Sequence, residues 1–234
     1  MEHKRLTLFA GHYGSGKTNI AVNYALHLAA EGKKVCIADL DIVNPYFRTA
    51  DSAKELEQAG IQLVSSRFAN SNVDLPALPA EAYRLVQDKA TYAIMDIGGD
   101  DRGAYALGRY VPAILEESNY RMAYVANCYR PLTRTPQDAL EVMREIEAAC
   151  GLQFTCIINN SNLGAETTAQ TLLDSLDFIR ELSDISGLPL FLHTARCDVA
   201  QALGDSVNPV FPLQLQEKYF DLPSQKPGNR PLWG

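Results

Sequence analysis

An eight-residue segment near the start of the chain contains the residue types that bind the phosphates of a nucleotide. Gly11-His12-Tyr13-Gly14-Ser15-Gly16-Lys17-Thr18 fits the pattern G-x-x-x-x-G-K-[ST]. Glycines let successive backbone N–H groups point into one concavity, Lys17 can reach the outer phosphates, and the Thr18 hydroxyl can ligate Mg²⁺. The predicted phosphate-contacting residues are Gly11, Gly14, Ser15, Gly16, Lys17 and Thr18.

A dinucleotide-binding loop is the competing interpretation of this segment. Gly14-x-Gly16 follows an apolar run, and Asp39 lies about 20 residues further on, as that motif requires. The third glycine of the motif is missing, because Asn19 stands at its position. Lys17 also has no role in that motif, so the phosphate-binding loop of a nucleoside triphosphatase is favoured.

Two acidic residues end the second apolar run, Val35-Cys36-Ile37-Ala38-Asp39-Leu40-Asp41. Alternate residues of an extended chain point the same way, so Asp39 and Asp41 share a side. One of them could hold the water shell of Mg²⁺ and the other could orient an attacking water, the two further tasks of phosphate hydrolysis. A pair of solvated acids at a strand end is the structural alternative.

A third acid ends the run Tyr92-Ala93-Ile94-Met95-Asp96 and starts the pattern D-x-x-G with Gly99. An acid after an apolar strand is the usual second carboxylate on the Mg²⁺ side of such a site. The Gly99 amide can contact a γ-phosphate and move when that group leaves. The pattern is weak alone and gains weight from the loop before it.

Short apolar runs alternate with helix-length segments along the chain, which predicts an α/β fold with a mostly parallel sheet and helices on both faces. The predicted strands are Leu6 to Ala10, Val35 to Ala38, Ile61 to Val64, Tyr92 to Ile97, Met122 to Ala126, Phe154 to Ile158 and Leu188 to Leu192. The predicted helices are Lys17 to Ala30, Ala80 to Gln87, Ala104 to Glu117, Thr135 to Ala149 and Thr167 to Ser186. We expect one three-layer domain over residues 1–220 and a proline-rich tail over 221–234.

Composition excludes several other classes of protein. The 234 residues include 21 Lys+Arg and 28 Asp+Glu, a net charge of −7 that argues against a nucleic-acid partner. No apolar run approaches the roughly 18 residues of a membrane span, so we expect no membrane partner and a cytoplasmic location. Five cysteines without a C-x-x-C pair indicate reduced, mostly buried thiols.

Together the loop, the D-x-D of VCIADLDIVNPYFR and the MDIGG segment resemble the MinD/ParA and CobQ/CobB group of P-loop ATPases, the deviant-Walker or SIMIBI branch. The resemblance covers about residues 6–200. It implies ATP and Mg²⁺, and a homodimer with ATP at its interface. It also implies that Asp41 orients the attacking water, that Thr18, Asp39 and Asp96 serve Mg²⁺, and that Lys17 holds phosphate.

Two further features follow from the resemblance. An asparagine after a late strand recognises adenine in that group, and Asn159 or Asn160 fits that position; a turn-forming pair is the alternative. The group's signature lysine is replaced here by His12. An arginine could take its place, and Arg48, Arg102 and Arg130 are candidates.

These motifs leave the use of the nucleotide open. The favoured hypothesis is a switch ATPase that acts on an unidentified protein partner, in maturation, metal insertion or positioning. The alternative is an ATP-dependent ligase or kinase for a small molecule, of the dethiobiotin synthetase or CobB type. A non-hydrolysing nucleotide sensor ranks last, because Lys17, Thr18, Asp41 and Asp96 are all present.

Overall fold

In the computed structural model of the protein, residues 2–40, 52–65, 85–98 and 101–215 are described. They form one eight-stranded sheet in the order β3-β2-β4-β1-β5-β6-β7-β8, with every neighbouring pair parallel. The strands are β1 (Leu6–Ala10), β2 (Val35–Leu40), β3 (Gln62–Ser65), β4 (Tyr92–Ile97), β5 (Tyr120–Ala126), β6 (Cys156–Asn159), β7 (Leu190–Arg196) and β8 (Val210–Leu213).

Helices of the described ranges cover the two faces of this sheet. They are α1 (Lys17–Ala30), α2 (Ala53–Gln58), α3 (Asp101–Gly108), α4 (Val111–Glu117), α5 (Pro136–Cys150), α6 (Ala169–Leu173), α7 (Leu176–Ser186) and α8 (Cys197–Leu203). The predicted three-layer α/β architecture is therefore confirmed. None of these helices is long and apolar enough to cross a membrane.

Each face of the sheet has its own apolar core. Successive side chains of β1 point to opposite faces of the sheet. Leu8 lies in the core with α3, α5 and α7, whereas Phe9 lies in the core with α1. Both residues are at most 1% exposed. A parallel sheet covered on both faces needs such continuous apolar strands, which explains the unbroken runs in the sequence.

Two predicted helices are each divided in the structure. The segment 104–117 holds the end of α3 and all of α4, because Pro112 has no N–H and its ring would collide with the carbonyl of Gly108 in a continuous helix. The segment 167–186 is divided near Ser175, whose Oγ donates to the Leu172 carbonyl (2.7 Å). The prediction of single helices was wrong at these points.

Three short elements carry too little pattern to be predicted from the sequence. They are α2, α8 and the edge strand β8, and each has no more than seven residues. Strand β8 is an edge strand of the described sheet, so it pairs with β7 alone, and its edge position tolerates Pro212. The predicted tail 221–234 and most of the predicted helix 80–87 lie outside the described residues.

Candidate nucleotide-binding site

The phosphate-binding pattern occupies the turn between β1 and α1, at the carboxyl edge of the sheet. Gly11 has φ +154°, and a Cβ at this position would lie 2.6 Å from the Val125 carbonyl oxygen of β5. Gly16 has φ +95°, and a Cβ there would lie 2.1 Å from Nδ2 of Asn160. Both positions therefore need glycine, because the loop is pressed against the strands beside it.

Within the loop, two donors converge on the carbonyl of His12. The Ser15 N–H donates to it at 3.1 Å and Nζ of Lys17 donates to it at 3.2 Å. Lys17 is only 6% exposed although it is charged. Ser15 is 1% exposed, and its Oγ has no hydrogen-bond partner among the described residues. A buried ammonium and a buried hydroxyl therefore lie together at the start of α1, a combination suited to an anion.

Asp39 and Asp96 lie side by side on adjacent strands. They are register partners in the β2–β4 pair, and they are 5% and 1% exposed. Ile37 and Ile94, two residues earlier, belong to the core against α1, so alternation puts both acids on the face where α1 begins. Because β2, β4 and β1 are neighbours in the sheet, the two acids and the start of α1 lie close together at its carboxyl edge.

The paired asparagines predicted to contact the base have different surroundings. Nδ2 of Asn160 donates to the Ser15 carbonyl (2.5 Å) and its Oδ1 accepts from Oγ1 of Thr194 (2.6 Å). Asn160 thus fixes the phosphate loop to β7. Its position explains why Gly16 cannot carry a side chain.

Asn159 is fully buried and bonds to other parts of the protein. Its Nδ2 donates to Ser175 Oγ (2.9 Å) and to Nδ1 of His193 (3.0 Å), while its Oδ1 accepts from the Ser161 N–H (3.1 Å). Burial lowers the pKa of His193, so its ring is neutral and Nδ1 can accept. The structure therefore brings Asn160, but not Asn159, into contact with the loop.

Arg130 is the arginine of the three candidates whose side chain the structure describes. Its Nε lies 3.5 Å from where a Cβ on Gly14 would stand. That Nε is buried and has no hydrogen-bond partner among the described residues. A guanidinium therefore lies directly on the phosphate loop. Nothing is described for Arg48 or for the side chain of Arg102.

Sequence reasoning missed one polar residue at this edge. Asn127 follows β5 directly and is 1% exposed. Its Oδ1 accepts from the N–H groups of Tyr129 (3.0 Å) and Asn162 (3.3 Å), which joins the loop after β5 to the loop after β6. The signal was an asparagine after an apolar strand, the same signal that singled out Asn159 and Asn160.

Two predicted site residues, Asp41 and Gly99, lie outside the described residues. Cys128, in the loop after β5, is half-buried, and Cys197, the first residue of α8, is exposed. Neither belongs to a group of three potential metal ligands within the described ranges. Cys36, Cys150 and Cys156 are buried, and burial raises the pKa of the Cys36 thiol to about 12.

Fold and loop together place the chain among α/β proteins with a P-loop nucleoside triphosphatase fold. Comparison with solved structures supports this class. The cell division protein FtsY of Thermotoga maritima superposes with a TM-score of 0.54 at 19% identity, covering 81% of this chain and 60% of that one. Chloroplast FtsY of Physcomitrella patens gives a TM-score of 0.51 at 18% identity, covering 81% of this chain and 58% of that one.

A further structure, FtsY of Mycoplasma mycoides, gives a TM-score of 0.51 at 14% identity over 80% of this chain and 58% of that one. The chain thus spans about three fifths of the length of these proteins. Identities this low show the fold alone. No protein-family model matches the chain, and comparison with curated proteins finds no significant match.

Proposed function

We propose that this protein binds and hydrolyses Mg·ATP and acts as a nucleotide-dependent switch on a protein partner. The observation that carries the proposal is the phosphate loop between β1 and α1. It combines two glycines at which a Cβ would clash with neighbouring residues, a buried lysine and a buried hydroxyl without a hydrogen-bond partner among the described residues. Such a loop supplies an anion with backbone amides, a helix N-terminus and a cation at once.

Lys17 and Ser15 have the main roles in holding phosphate. Nζ of Lys17 donates to the His12 carbonyl, a bond that it can exchange for a stronger one to a phosphate oxygen. The buried Ser15 hydroxyl gains the partner that the described protein does not supply. Both changes favour the bound state and cost little reorganisation.

Residues at the carboxyl edge of the sheet fit a magnesium ion. Thr18 follows Lys17 in the first turn of α1, and Asp39 and Asp96 share its face of the sheet. Oxygen ligands from one hydroxyl and two carboxylates, some acting through water, suit Mg²⁺. When bound, the ion neutralises charge on the β- and γ-phosphates. In this proposal Thr18 ligates it and Asp39 and Asp96 hold its waters.

Asp41 and Gly99 complete the proposed catalytic set. Asp41 orients the attacking water, and the Gly99 amide contacts the γ-phosphate. Both roles rest on the sequence motifs, D-x-D for the former and D-x-x-G for the latter. An Asp41→Ala variant is expected to bind ATP as wild type does and to lose ATP hydrolysis.

Arg130 is proposed to replace the signature lysine that this chain lacks. Its guanidinium lies on Gly14 in the same chain, and its buried Nε–H has no acceptor in the part of the chain that the structure describes. A guanidinium neutralises charge that develops on the transferring phosphoryl group. Nδ1 of His12, the residue at the position of the missing lysine, faces the Tyr13 carbonyl at 2.9 Å.

The preference for ATP rests on the amide groups after β6. An amide can pair with the donor and the acceptor of a purine edge, and both Asn159 and Asn160 would have to exchange a bond within the protein to do so. Asn160 contacts the loop and is the better placed of the two. Parallel hydrolysis assays with ATP and with GTP show which purine base the protein prefers.

A partner is proposed to dock on the same edge of the sheet. Three large apolar side chains are exposed in the loops after β1, β5 and β6, namely Tyr13 (54%), Leu132 (62%) and Leu163 (46%). Apolar side chains exposed close to a nucleotide site suit a surface that is covered in one nucleotide state. A second copy of the chain is the proposed first occupant, with ATP at the interface.

Phosphate release from ATP and from GTP tests the catalytic part of the proposal. Lys17→Ala should lower turnover by at least about 100-fold, because it removes a cation that contacts the transferring phosphate. Lys54→Ala is the matched control, since Lys54 is exposed on α2. Turnover by Lys17→Ala at the wild-type rate would contradict the loop assignment.

Light scattering of Asp41→Ala, with and without Mg·ATP, tests the switch. A dimer that forms only with ATP supports it. A constant oligomeric state with negligible basal turnover favours the alternative, an ATP-dependent ligase or kinase for a small molecule. In that case a screen of carboxylates and hydroxyls for stimulated ATP use is the next measurement.

A further inference from the structure

A cluster of three potential metal ligands lies at the end of α1 opposite the phosphate loop. It consists of His3, before β1, of His27 in the last turn of α1, and of Glu31, which directly follows α1. One ligand atom from each residue lies within 4.8 Å of the others. Within the described ranges it is the one such group of three His, Cys, Asp or Glu side chains. Since α1 has 14 residues, the cluster is about 20 Å from the loop.

The distances within the cluster match a metal site with three protein ligands. Nε2 of His3 and Nε2 of His27 lie 3.3 Å and 3.2 Å from the same carboxylate oxygen, Oε1 of Glu31. Tetrahedral ligands about 2.0 Å from Zn²⁺ are about 3.3 Å apart. The His27 and Glu31 spacing of four residues puts both side chains on one face of the helix.

Neighbouring side chains orient both imidazoles. Nδ1 of His3 is 3.0 Å from Oη of Tyr24, a residue that is 1% exposed. When Nδ1–H donates to that oxygen, the lone pair of Nε2 is directed to the cluster, as in metal sites where a second residue fixes the histidine tautomer. The ring of His27 packs edge-on against Phe211 with a centroid distance of 5.5 Å.

Access to the cluster is open on one side. The side chains of His27 and Glu31 are 40% and 38% exposed, whereas that of His3 is 10% exposed. An ion could therefore enter from solvent and keep a water as its fourth ligand. Two imidazoles and one carboxylate suit Zn²⁺ and its neighbours Co²⁺ and Ni²⁺ rather than Mg²⁺ or Ca²⁺.

We propose that His3, His27 and Glu31 form a binding site for a divalent transition-metal ion, Zn²⁺ above all, that fastens the segment before β1 to the end of α1. The proposal does not depend on nucleotide hydrolysis, because none of the three residues belongs to the phosphate site. A salt bridge between a protonated histidine and Glu31 is the competing explanation of the same distances.

Calorimetric titration of the full chain without an affinity tag, with ZnCl₂ alone, tests the proposal. We expect one Zn²⁺ per chain, and a loss of affinity of about 100-fold in His27→Ala and in Glu31→Gln, which each remove one ligand. His12→Ala is the matched control, since it removes an imidazole outside the cluster. Both cluster positions are partly exposed, so the variants are expected to fold, and circular dichroism checks this.

Two further measurements separate this site from other ways of binding zinc. Tyr24→Phe keeps the ring and removes the hydroxyl that orients His3, and should weaken binding about tenfold. Co²⁺ in place of Zn²⁺ should give tetrahedral d–d bands without a thiolate charge-transfer band, which excludes the cysteines. Absence of Zn²⁺ binding, or equal binding by wild type, His27→Ala and Glu31→Gln, would overturn the proposal and leave an ordinary ion pair.

Discussion

The two ends of the parallel sheet differ in how completely their buried polar side chains are hydrogen-bonded. At the amino end, the Arg5 and Glu117 side chains are each 5% exposed and bond to each other, and Arg5 also donates to the carbonyls of Leu85, Asp88 and Thr91. At the carboxyl end, Lys17 is buried beside a backbone carbonyl, and Ser15 Oγ and Arg130 Nε have no partner among the described residues.

In the proposed function, this difference separates a structural site from a ligand-binding site. A buried charge costs free energy unless hydrogen bonds and an opposite charge compensate it. The protein itself supplies this compensation to Arg5. In the proposed function, a phosphate group gives Ser15 Oγ and Arg130 Nε, at the carboxyl end, the hydrogen-bond partner that the described residues do not supply. Substitutions at the two ends should therefore change different observables.

The largest effect on stability is expected at the amino end. Glu117→Gln removes the charge that compensates Arg5 and should lower the free energy of unfolding by about 3 kcal/mol, with turnover per folded molecule unchanged. Urea unfolding followed by circular dichroism measures it. Glu116→Gln, at the exposed neighbouring position, is the control and should change little. Equal stability of the two variants would mean that the pair is not structurally important.

The same pair gives a pH dependence whose sign is fixed. Hydrogen bonds from Arg5, and then from Lys89, lower the pKa of Glu117 below its ordinary value of 4.5. The contribution of ionised Glu117 to stability is therefore complete above pH 4.5, the ordinary pKa, and is lost as the pH falls through the lowered pKa of the folded protein. Glu117→Gln should unfold with a weaker pH dependence than wild type in this acidic range.

A large effect on turnover with little effect on stability is expected from Arg130→Ala. Removal of a guanidinium from the phosphate loop should lower turnover about 100-fold, about 2.7 kcal/mol of barrier. Arg134→Ala is the control, since Arg134 is exposed four residues later. If both variants hydrolyse ATP at the wild-type rate, Arg130 has no catalytic role and the difference between the two ends is smaller than proposed.

Asn160→Ala should have a smaller effect, on binding rather than on turnover. The loop loses the amide that donates to the Ser15 carbonyl, so ATP affinity should fall about tenfold, the value of one hydrogen bond. Thr194→Val removes only the donor to Oδ1 of Asn160 and should weaken binding less. Fluorescent-nucleotide titration measures both. A stronger effect of Thr194→Val would contradict this order.

The smallest expected effect is a pH-dependent loss of stability caused by His193, a buried residue of β7 that bonds to Asn159. Burial lowers its pKa below 6.5, so its contribution to stability is full above pH 6.5 and is lost as the pH falls below it. Protonation at Nδ1 also breaks the bond from Asn159. Urea unfolding at pH 7.5 and 5.5 should show a larger loss for wild type than for His193→Gln. An equal loss of stability in wild type and His193→Gln would mean that a group other than His193 causes the pH dependence.

Much of the fold could be predicted because its signals are local. The runs that became β1 and β4 were predicted with the bounds that the structure has, and so was α1. Apolar periodicity and the G-x-x-x-x-G-K-T spacing are read within a few residues. The divided helices were missed since a local break, such as that caused by Pro112, weighs little against a long helical pattern.

The site was predictable in part for the same reason. Its loop and carboxylates follow strand ends, and the parallel sheet necessarily gathers strand ends at one edge. The partners of each residue were not predictable, because they come from distant segments. Asn160 bonds to Ser15, 145 positions away. His3 meets His27 and Glu31 only because α1 packs along β1, and no spacing in the sequence signals this cluster.

The sequence alone determined the class of fold, the position of the G-x-x-x-x-G-K-T loop and the acids Asp39 and Asp96 near the carboxyl ends of β2 and β4, because each depends on short-range pattern and on the rules of parallel sheets. Only the tertiary structure decided which asparagine contacts the loop, which arginine lies on Gly14 and which charges at the amino end compensate one another. These depend on the strand order β3-β2-β4-β1-β5-β6-β7-β8. That order brings together residues that the chain keeps far apart.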